Sequence, residues 1–413
     1  MAGANKNYKW YILFLVVVTG MFVVAIPTMG MSVLSKEISE DLGLNLVQVG
    51  IIWGIGSLPA IITGLLGGVI GDKIGPKFVL TAGVLLGGLL GMARGMAGNF
   101  VSMTIIVILL GAIIPIVMMN CIKAIGQWFP PTQLGLANGV QAMSMALGFM
   151  LGSLLSATTL SPLLGGWRKV LILYGLIGAS FSIPWAFTKT VPSHASNGSL
   201  SIQSALKHVV GLKNIWLLGF GLFGVGGAIQ GALGYLPLYL RGIGWQPIHA
   251  DGALSTFHTL SMIFVLPIAL WSDRFGSRKR FLLVTSFLIA CGFALLSFVD
   301  GGMIWAAVAL SGFVRDAFMA IFLTMVIETE DVGPVYAGTA TGLTMAISGI
   351  GNFIAPPIGN ALAEMWPGAP YAFWSALTIL GLVCLSMVKE KSRDRNSLVV
   401  ERISEQPELL RLQ

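Results

Sequence analysis

The sequence predicts an all-α membrane protein with twelve transmembrane helices in two pseudo-symmetric six-helix bundles and with both termini in the cytoplasm. Three observations predict this fold: the apolar composition, the number of long apolar stretches and a loop signature that occurs twice. Apolar residues make up 55% of the 413 residues and charged residues 10%, whereas soluble domains carry about 25% charged residues. A soluble fold of this length cannot bury so much apolar surface, but a bilayer accepts it.

Each membrane-spanning helix needs roughly 20 mainly apolar residues, and the sequence supplies about twelve stretches of that kind. Their cores are residues 10–32, 46–70, 78–97, 101–127, 134–157, 169–188, 214–239, 252–271, 281–299, 302–327, 334–360 and 370–388. The stretches are continuously apolar rather than alternating, which is not the pattern of a β-barrel. Because a backbone in hydrocarbon must satisfy its own hydrogen bonds, we predict that all twelve are helices.

A loop signature follows the second apolar stretch and recurs half a chain later. The first copy occupies residues 68–77 and the second residues 269–279, and their aspartates are 201 positions apart. A shorter echo, in residues 135–139 and 338–342, is offset by 203 positions. Repeated hydrophobic halves in a membrane protein indicate two bundles around a shared path.

The distribution of basic residues predicts the orientation in the membrane. Counted from a cytoplasmic N-terminus, the inner loops and tails hold 17 lysines and arginines and the outer loops hold five. The outer five are Lys36, Arg94, Arg168, Lys169 and Arg241. This bias predicts cytoplasmic termini in a multi-pass protein of the inner or plasma membrane. The net charge of +7 therefore reflects topology, and we expect no nucleic-acid partner because no aromatic platforms interleave the basic residues.

A polar break between the sixth and seventh stretches divides the chain. We predict an N-terminal bundle in residues 1–190, a turn-rich cytoplasmic linker in 191–211, a C-terminal bundle in 212–390 and a charged cytoplasmic tail in 391–413. Within the bundles, glycine pairs occur at the spacing that lets helices approach closely. These pairs are Gly64/Gly68, Gly135/Gly139, Gly148/Gly152 and Gly338/Gly342.

Features of catalytic or metal chemistry are sparse in this sequence. The three cysteines lie inside apolar stretches, and their odd number does not indicate a disulfide framework. The sequence shows no cysteine-pair motif, metal-ligand cluster or nucleophile elbow. We therefore expect no cofactor, no metal and no enzymatic activity.

The loop signature resembles that of the major facilitator superfamily, GxxxD(R/K)xGxR/K. The first copy has Gly68, Asp72, Lys73, Gly75 and Lys77 in place. The second copy keeps Asp273, Arg274, Gly276 and Arg278 and has Ala269 instead of the first glycine. The resemblance extends over nearly the whole chain and implies a secondary transporter whose two halves rock about a central site. We expect it to act as a monomer in the lipid bilayer.

Two segments bear on the kind of substrate. Residues 146–156 of the fifth helix lack the glycine–proline motif that drug/proton antiporters usually carry, which counts against a drug exporter. The stretch from Asn120 to Gly139, with Lys123 and a Gln-Trp-Phe-Pro segment, resembles branches that carry organic anions, oxalate and formate, or cyanate-like ions.

Arg315 and Asp316 lie near the middle of the tenth predicted helix, roughly 20 Å from each end at 1.5 Å per residue. Charges at that depth cost several kcal/mol unless they face a cavity or a partner. Arg315 is predicted to bind an anionic substrate group, and neutralisation by the protein itself is the alternative. Asp316 is either a proton carrier or a structural counter-charge. Adjacent residues point about 100° apart on a helix, so the two need not pair.

Other polar residues inside the stretches are candidates for the same site. Lys123, with Asn120 almost one turn before it, is predicted either to add positive charge to the cavity or to snorkel to the cytoplasmic face. His258 is a second candidate proton carrier, because histidine titrates near neutral pH, and a structural hydrogen bond explains it equally well. The remaining substrate-binding candidates, each also explained by packing alone, are Gln230, Tyr235 and Asn352.

The loop signatures are predicted to form the inner gate, with a role in folding or insertion as the alternative. The gating candidates are Gly68, Asp72, Lys77, Asp273, Arg274 and Arg278. The family resemblance implies that Asp72 meets the start of the eleventh helix, where the helix dipole favours a carboxylate. Lys77 is predicted to pair with one of the acidic residues at positions 328, 330 and 331.

These features together predict a secondary active transporter that works by alternating access and carries a small organic or inorganic anion with protons. Two alternatives remain open. One is a proton-coupled exporter of amphipathic compounds, which the buried charge of Arg315 disfavours. The other is a membrane solute sensor that does not transport, which requires an output domain larger than the predicted linker and tail.

Overall fold

The structure is a computed structural model, and it describes residues 7–189, 202–275 and 277–390. Six long helices form the first half of the chain and six form the second half. In the first half they are α1 (Tyr8–Val33), α2 (Leu46–Ile55 and Ser57–Ile74), α3 (Pro76–Gly95), α4 (Phe100–Trp128), α5 (Leu134–Leu164) and α6 (Trp167–Ala186). In the second half they are α7 (Lys213–Gly242), α8 (Pro247–Phe275), α9 (Arg278–Phe298), α10 (Met303–Gly312 and Arg315–Glu328), α11 (Gly333–Leu362) and α12 (Ala369–Ser386).

Eleven helices of the described residues are long and apolar enough to cross a membrane. The twelfth, α11, is not among them, and its sequence is rich in glycine, serine, threonine and asparagine. It packs against α7 in its own half and against α2 in the other half, so much of its surface meets protein rather than lipid. The predicted fold class of twelve helices in two bundles is confirmed.

The structure also contains local features that the apolar pattern does not predict. An outer helix, Ser35–Leu42, follows α1, and a linker helix, Ile202–Val210, precedes α7. Helix α2 is interrupted at Gly56, while α1 and α5 contain π-helical turns at Gly20–Ala25 and Ser156–Leu160. The apolar character of the chain continues across each interruption, which is why hydropathy alone does not reveal it. Part of the predicted linker and the whole predicted tail lie outside the described residues.

The two ends of each bundle meet at one face of the molecule. The backbone N–H of Lys189 donates to the Tyr8 hydroxyl (2.7 Å), and the Asn214 amide donates to the Lys389 carbonyl (3.1 Å). We call this face cytoplasmic, following the charge bias, and the opposite face outer. Within the bundles, α3 packs on α6, and α12 packs on both α7 and α9.

On the outer side the two bundles are in direct backbone contact. A Cβ added at Gly50 of α2 would lie 2.7 Å from the backbone of Pro357 in α11. The Asn360 amide donates to the Leu46 carbonyl (3.0 Å), and the Ser32 hydroxyl donates to the Leu233 carbonyl (2.7 Å). These contacts join α1 and α2 of the first half to α7 and α11 of the second.

Toward the cytoplasmic side, α2, α5 and α11 face open space. A Cβ added at Gly64 of α2, at Gly139 of α5 or at Gly338 of α11 would meet nothing within 4 Å. Leu136 and Val335, near the cytoplasmic ends of α5 and α11, have exposed side chains. The described residues therefore form an inward-open arrangement, closed on the outer side.

Candidate functional site

Helix α10 is interrupted near its middle by a two-residue turn, which we call the break of α10, and its second half begins at Arg315. The first half ends at Gly312, and two residues, Phe313 and Val314, separate it from the second half. Both residues keep right-handed helical backbone angles, and the predicted span over residues 302–327 is confirmed as one membrane-crossing helix, Met303–Glu328, with this local distortion in it. Asp316 lies in the first turn of the second half, where the positive end of the helix dipole favours a carboxylate.

Arg315 and Asp316 form an ion pair with each other. Nη1 of Arg315 lies 2.5 Å from Oδ1 of Asp316, and each side chain is about three-quarters buried. The Asp316 backbone N–H donates to the Ser261 hydroxyl of α8 (3.0 Å). The argument that neighbouring residues on a helix need not pair does not hold here, because the long arginine side chain reaches its neighbour. In this state, a carboxylate of the protein neutralises the arginine.

His258 connects this pair to the other half of the molecule. It lies one turn before Ser261 on α8 and is fully enclosed, with Nε2 3.2 Å from the sulfur of Met29 in α1. Its ring lies 5.3 Å from the ring of Phe149 in α5. The face of α8 that carries His258 and Ser261 is thus turned toward the first bundle, and the described residues place both proton-coupling candidates in one region.

A second arginine, Arg94, is buried in the last turn of α3, near the outer side. Its side chain is 7% exposed. Its Nη1 lies 3.5 Å from the sulfur of Met31, a weak acceptor, and its buried Nε has no hydrogen-bond partner. No carboxylate of the described residues forms an ion pair with it. The helix dipole favours a cation at this end of α3 by about 0.3–1 kcal/mol, which is less than the several kcal/mol that desolvating a charge costs.

Arg94 lines a cavity of about 260 Å³ between the two bundles. The polar walls come from Thr28, Ser57, Arg94 and Gln230, and the apolar walls include Met31, Ile52, Trp53, Val107, Leu110, Ile114 and Pro115. On one side, Nε1 of Trp53 in α2 donates to the Gln230 carbonyl of α7 (2.7 Å). Sequence reasoning counted Arg94 only as an outer charge, although a lone charge inside the stretch 78–97 was the available signal.

Another arginine at the outer end, Arg241, differs from Arg94 because it has a carboxylate partner. Nη2 of Arg241 lies 2.6 Å from Oδ1 of Asp251, and the side chains are 6% and 0% exposed. This pair links α7 to α8 and gives each charge a counter-charge, although Nε of Arg241 and Oδ2 of Asp251 are buried without a hydrogen-bond partner. Sequence reasoning counted Arg241, too, only as an outer charge.

The remaining predicted substrate residues lie in different surroundings. Gln230 lines the Arg94 cavity, and its side-chain amide approaches the Trp53 carbonyl (3.5 Å). Asn352 lies where α11 meets α2 and α7, with a buried Oδ1 that has no hydrogen-bond partner. Tyr235 is buried in an aromatic cluster with Tyr239, Tyr371 and Trp374. The structure thus brings Gln230 together with Arg94. The roles of Gln230, Asn352 and Tyr235 in substrate binding stay predictions.

The first loop signature is held against α4 by two residues that sequence reasoning assigned to the substrate. Nζ of Lys123 lies 2.6 Å from Oδ1 of Asp72 and also contacts the Gly68 carbonyl. The Asn120 amide donates to the Gly67 carbonyl of α2 (3.0 Å). Lys123 and Asn120 therefore join the predicted gate, and their contact with an anion stays a prediction.

The second loop signature contacts the cytoplasmic end of α10 through a different position, Arg278, which corresponds to Lys77 of the first copy. Nε of Arg278 lies 3.5 Å from Oε2 of Glu328 at the end of α10, and its Nη1 donates to the Ser272 hydroxyl (3.2 Å). Glu328 thus pairs with Arg278, whereas Lys77 lines a separate cytoplasmic cavity of about 370 Å³ in the first bundle. Arg274 is exposed. The side chain of Asp273 and the whole of Gly276 lie outside the described residues.

The sequence matches the Major Facilitator Superfamily over residues 11–329 and 247–409. The chain belongs to the major facilitator superfamily. Among curated proteins, none matches it. Within the described residues, no group of three or more His, Cys, Asp or Glu side chains could hold a metal ion.

Solved structures of major facilitator transporters share this fold at low sequence identity. A bacterial homologue of the human lysosomal transporter Spinster, in an inward-facing and unoccupied conformation, is 16% identical, with a TM-score of 0.75; 93% of this chain and 96% of that chain are covered. A mutant of the nucleoside transporter NupG is 15% identical, with a TM-score of 0.75 and coverage of 92% and 100%. Its membership of the major facilitator superfamily makes the protein a multi-pass membrane transporter of a small molecule rather than an enzyme.

Proposed function

We propose that this transporter carries a small anion together with protons across the inner or plasma membrane. The observation that carries the proposal is the ion pair between Arg315 and Asp316 at the break of α10. An arginine stays protonated at any physiological pH, whereas a carboxylate can accept a proton. The pair can therefore exist either as a neutral salt bridge or as a free guanidinium beside a protonated acid.

Protonation of Asp316 is the step that couples the two solutes in this proposal. While Asp316 is ionised it occupies Arg315 and competes with any anion for the guanidinium. Once Asp316 is protonated, Arg315 is released and binds the anion, with a fork geometry that suits carboxylates and oxyanions. One proton and one monoanion then move together, and the site stays close to neutral in each state.

Charge compensation is the energetic reason for moving the anion together with a proton. Moving one net charge across a membrane potential of 100 mV changes the free energy by about 2.3 kcal/mol. A monoanion that enters a negative-inside cell alone opposes that potential, while a monoanion with a proton does not. His258, which lies one turn from Ser261 in the same region, is the second proposed group in the proton path.

The substrate class is tested by the thermal stability of the purified protein against a ligand panel. The panel contains formate, acetate, oxalate, nitrate, glucose, uridine and the lipophilic cation tetraphenylphosphonium. A ligand that prefers the folded state raises its stability by mass action. We expect an anion to stabilise the wild type and Arg315→Gln to lose most of that stabilisation, while the outer exposed variant Lys36→Gln keeps it. Stabilisation by the lipophilic cation alone, unaffected by Arg315→Gln, would indicate the exporter instead.

Proton coupling is tested by transport in proteoliposomes with the anion that the panel identifies. Asp316→Asn mimics the protonated acid, so we expect it to retain exchange of labelled for unlabelled anion. The same variant should lose accumulation driven by a proton gradient, because no proton is released from the site. Arg315→Gln should lose both activities. Gradient-driven accumulation that survives in Asp316→Asn at the wild-type level would contradict the role of Asp316.

A further inference from the structure

The Arg94 cavity has the features of a binding site that is separate from the pair at Arg315. Its walls come from α1, α2, α3 and α4 of the first bundle and, through Gln230, from α7 of the second. Its volume of about 260 Å³ is close to the lower end of small-molecule sites, which range from about 300 to 1,000 Å³. The cavity therefore suits a compact ligand.

The charge in this cavity has no counterpart in the described residues. Arg94 is 7% exposed, its Nε has no hydrogen-bond partner, and its closest polar contact is the weakly accepting sulfur of Met31. Arg241, at the same end of the membrane, is equally buried but faces Asp251 at 2.6 Å. Because buried charges are normally paired, the contrast indicates that the partner of Arg94 is not a side chain of the protein.

The walls define the chemistry of the missing partner. Arginine can donate two parallel hydrogen bonds to one carboxylate. The rest of the cavity is mostly apolar, with Trp53, Ile52, Val107 and Leu110 among its walls, and Thr28, Ser57 and Gln230 supply a few polar atoms. A few placed polar groups in an apolar cavity fix the orientation of a small organic ligand. A bare inorganic anion would leave these apolar walls unused.

We propose that the Arg94 cavity is a second anion-binding site, for a small organic monocarboxylate with a compact apolar body. The carboxylate contacts Arg94, and the apolar body packs against Trp53 and the residues of α4. Because Gln230 belongs to the second bundle and bonds with Trp53, a bound carboxylate contacts both halves on the outer side. This site does not depend on proton coupling at Asp316.

The proposal is tested by equilibrium binding of radiolabelled benzoate to the purified full-length protein. We expect Arg94→Gln to weaken benzoate binding by roughly ten- to a hundredfold, the usual effect of losing a hydrogen bond to a charged group. Arg315→Gln and Asp316→Asn should leave the benzoate affinity within about threefold of the wild type. Benzamide, which has the same shape but no charge, should compete at least tenfold more weakly than unlabelled benzoate.

Two further variants separate a binding role of Arg94 from a structural one. Arg94→Lys keeps the positive charge but cannot donate two parallel hydrogen bonds to one carboxylate. It should therefore bind benzoate more tightly than Arg94→Gln and more weakly than the wild type. Ala60→Phe keeps Arg94 and fills the cavity from α2, so it should abolish benzoate binding even if Arg94→Gln fails to fold. Wild-type protein that binds no benzoate, or Ala60→Phe that binds it normally, would overturn the proposal. Loss of binding in Arg315→Gln would show that the anion site is the one at Arg315 and not a separate one.

Discussion

The outer and cytoplasmic parts of the interface between the bundles use glycine in opposite ways. On the outer side, a Cβ at Gly50 or Gly54 would lie 2.7–2.8 Å from the backbone of α11. On the cytoplasmic side, a Cβ at Gly64 of the same helix, or at Gly139 of α5, would meet nothing within 4 Å. Glycine spacing therefore marks helix faces that can approach closely, and the conformation decides which of them are in contact.

Ion pairs at the two ends show the same contrast. The outer pair of Arg241 and Asp251 is 6% and 0% exposed. The cytoplasmic pair of Lys123 and Asp72 is 25% and 70% exposed. Water screens the cytoplasmic pair, so it can form and break at little cost, whereas the outer pair is fixed by its burial. From this difference we expect a structural role for the outer pair and a switching role for the cytoplasmic pair.

The largest expected effect comes from breaking the buried outer pair. Asp251→Asn leaves the Arg241 guanidinium buried without a counter-charge, so we expect a loss of about 3–5 kcal/mol of stability. Thermal unfolding in detergent checks this. The double variant Arg241→Met with Asp251→Leu should recover most of the loss, because it removes both charges. If Asp251→Asn were as stable as the wild type, the pair of Arg241 and Asp251 would contribute nothing to the stability of the fold.

An intermediate effect is expected from the close backbone contact at Gly50. Gly50→Ala places a methyl group against the backbone of Pro357, which cannot yield as a side chain does, and overpacking of this kind costs about 1–3 kcal/mol. The cost applies only to the outer-closed state, so we expect a population shift toward the outward-open state.

Electron–electron distance measurements between spin labels at Leu136 and Val335, in a cysteine-free background, check the shift. Both positions are exposed near the cytoplasmic ends of opposite bundles, and their separation should shorten in Gly50→Ala. Gly64→Ala is the matched control on the same helix, because its methyl group has open space in this state. Equal distance distributions in the two variants would contradict the assignment of the outer contact.

The smallest expected effect comes from the exposed cytoplasmic pair. Lys123→Met removes one partner of Asp72, whose side chain is 70% exposed and therefore screened by solvent, so we expect a change of about 0–1 kcal/mol in stability. Thermal unfolding should therefore barely change, while the spin-label distance between Leu136 and Val335 reports any effect on the gate. A loss of stability as large as that of Asp251→Asn would remove the distinction between the two pairs.

The twelve helices could be predicted because lipid leaves the backbone no other choice. A run of about 20 apolar residues must satisfy its hydrogen bonds within itself, and this holds whatever its neighbours are. The repeated loop signature then indicated two related halves. The break at Phe313 and Val314 was not predictable in the same way, because neither residue is a glycine or a proline and the apolar stretch resumes after Arg315 and Asp316.

The candidate site was harder to predict because it depends on the directions of side chains. Arg315 and Asp316 were evident as charges in an apolar stretch, yet their mutual pairing depends on the path of one side chain. Arg94 was visible inside the third stretch, but its burial depends on Met31 and Trp53, which come from other helices. Lys123 was predicted either to face the cavity or to snorkel to the cytoplasmic face, while the structure pairs it with Asp72.

The helical segment that follows the break of α10 connects two charged residues that lie far apart. The second half of the helix, Arg315–Glu328, has 14 residues and is therefore about 21 Å long. Arg315 begins it, and Glu328, which pairs with Arg278 of the loop signature, ends it. A helical segment of this length is stiff, so we expect a tilt of its Arg315 end to displace Glu328 and its contact with Arg278. We therefore expect the second half of α10 to pivot about Phe313 and Val314 as one rigid unit.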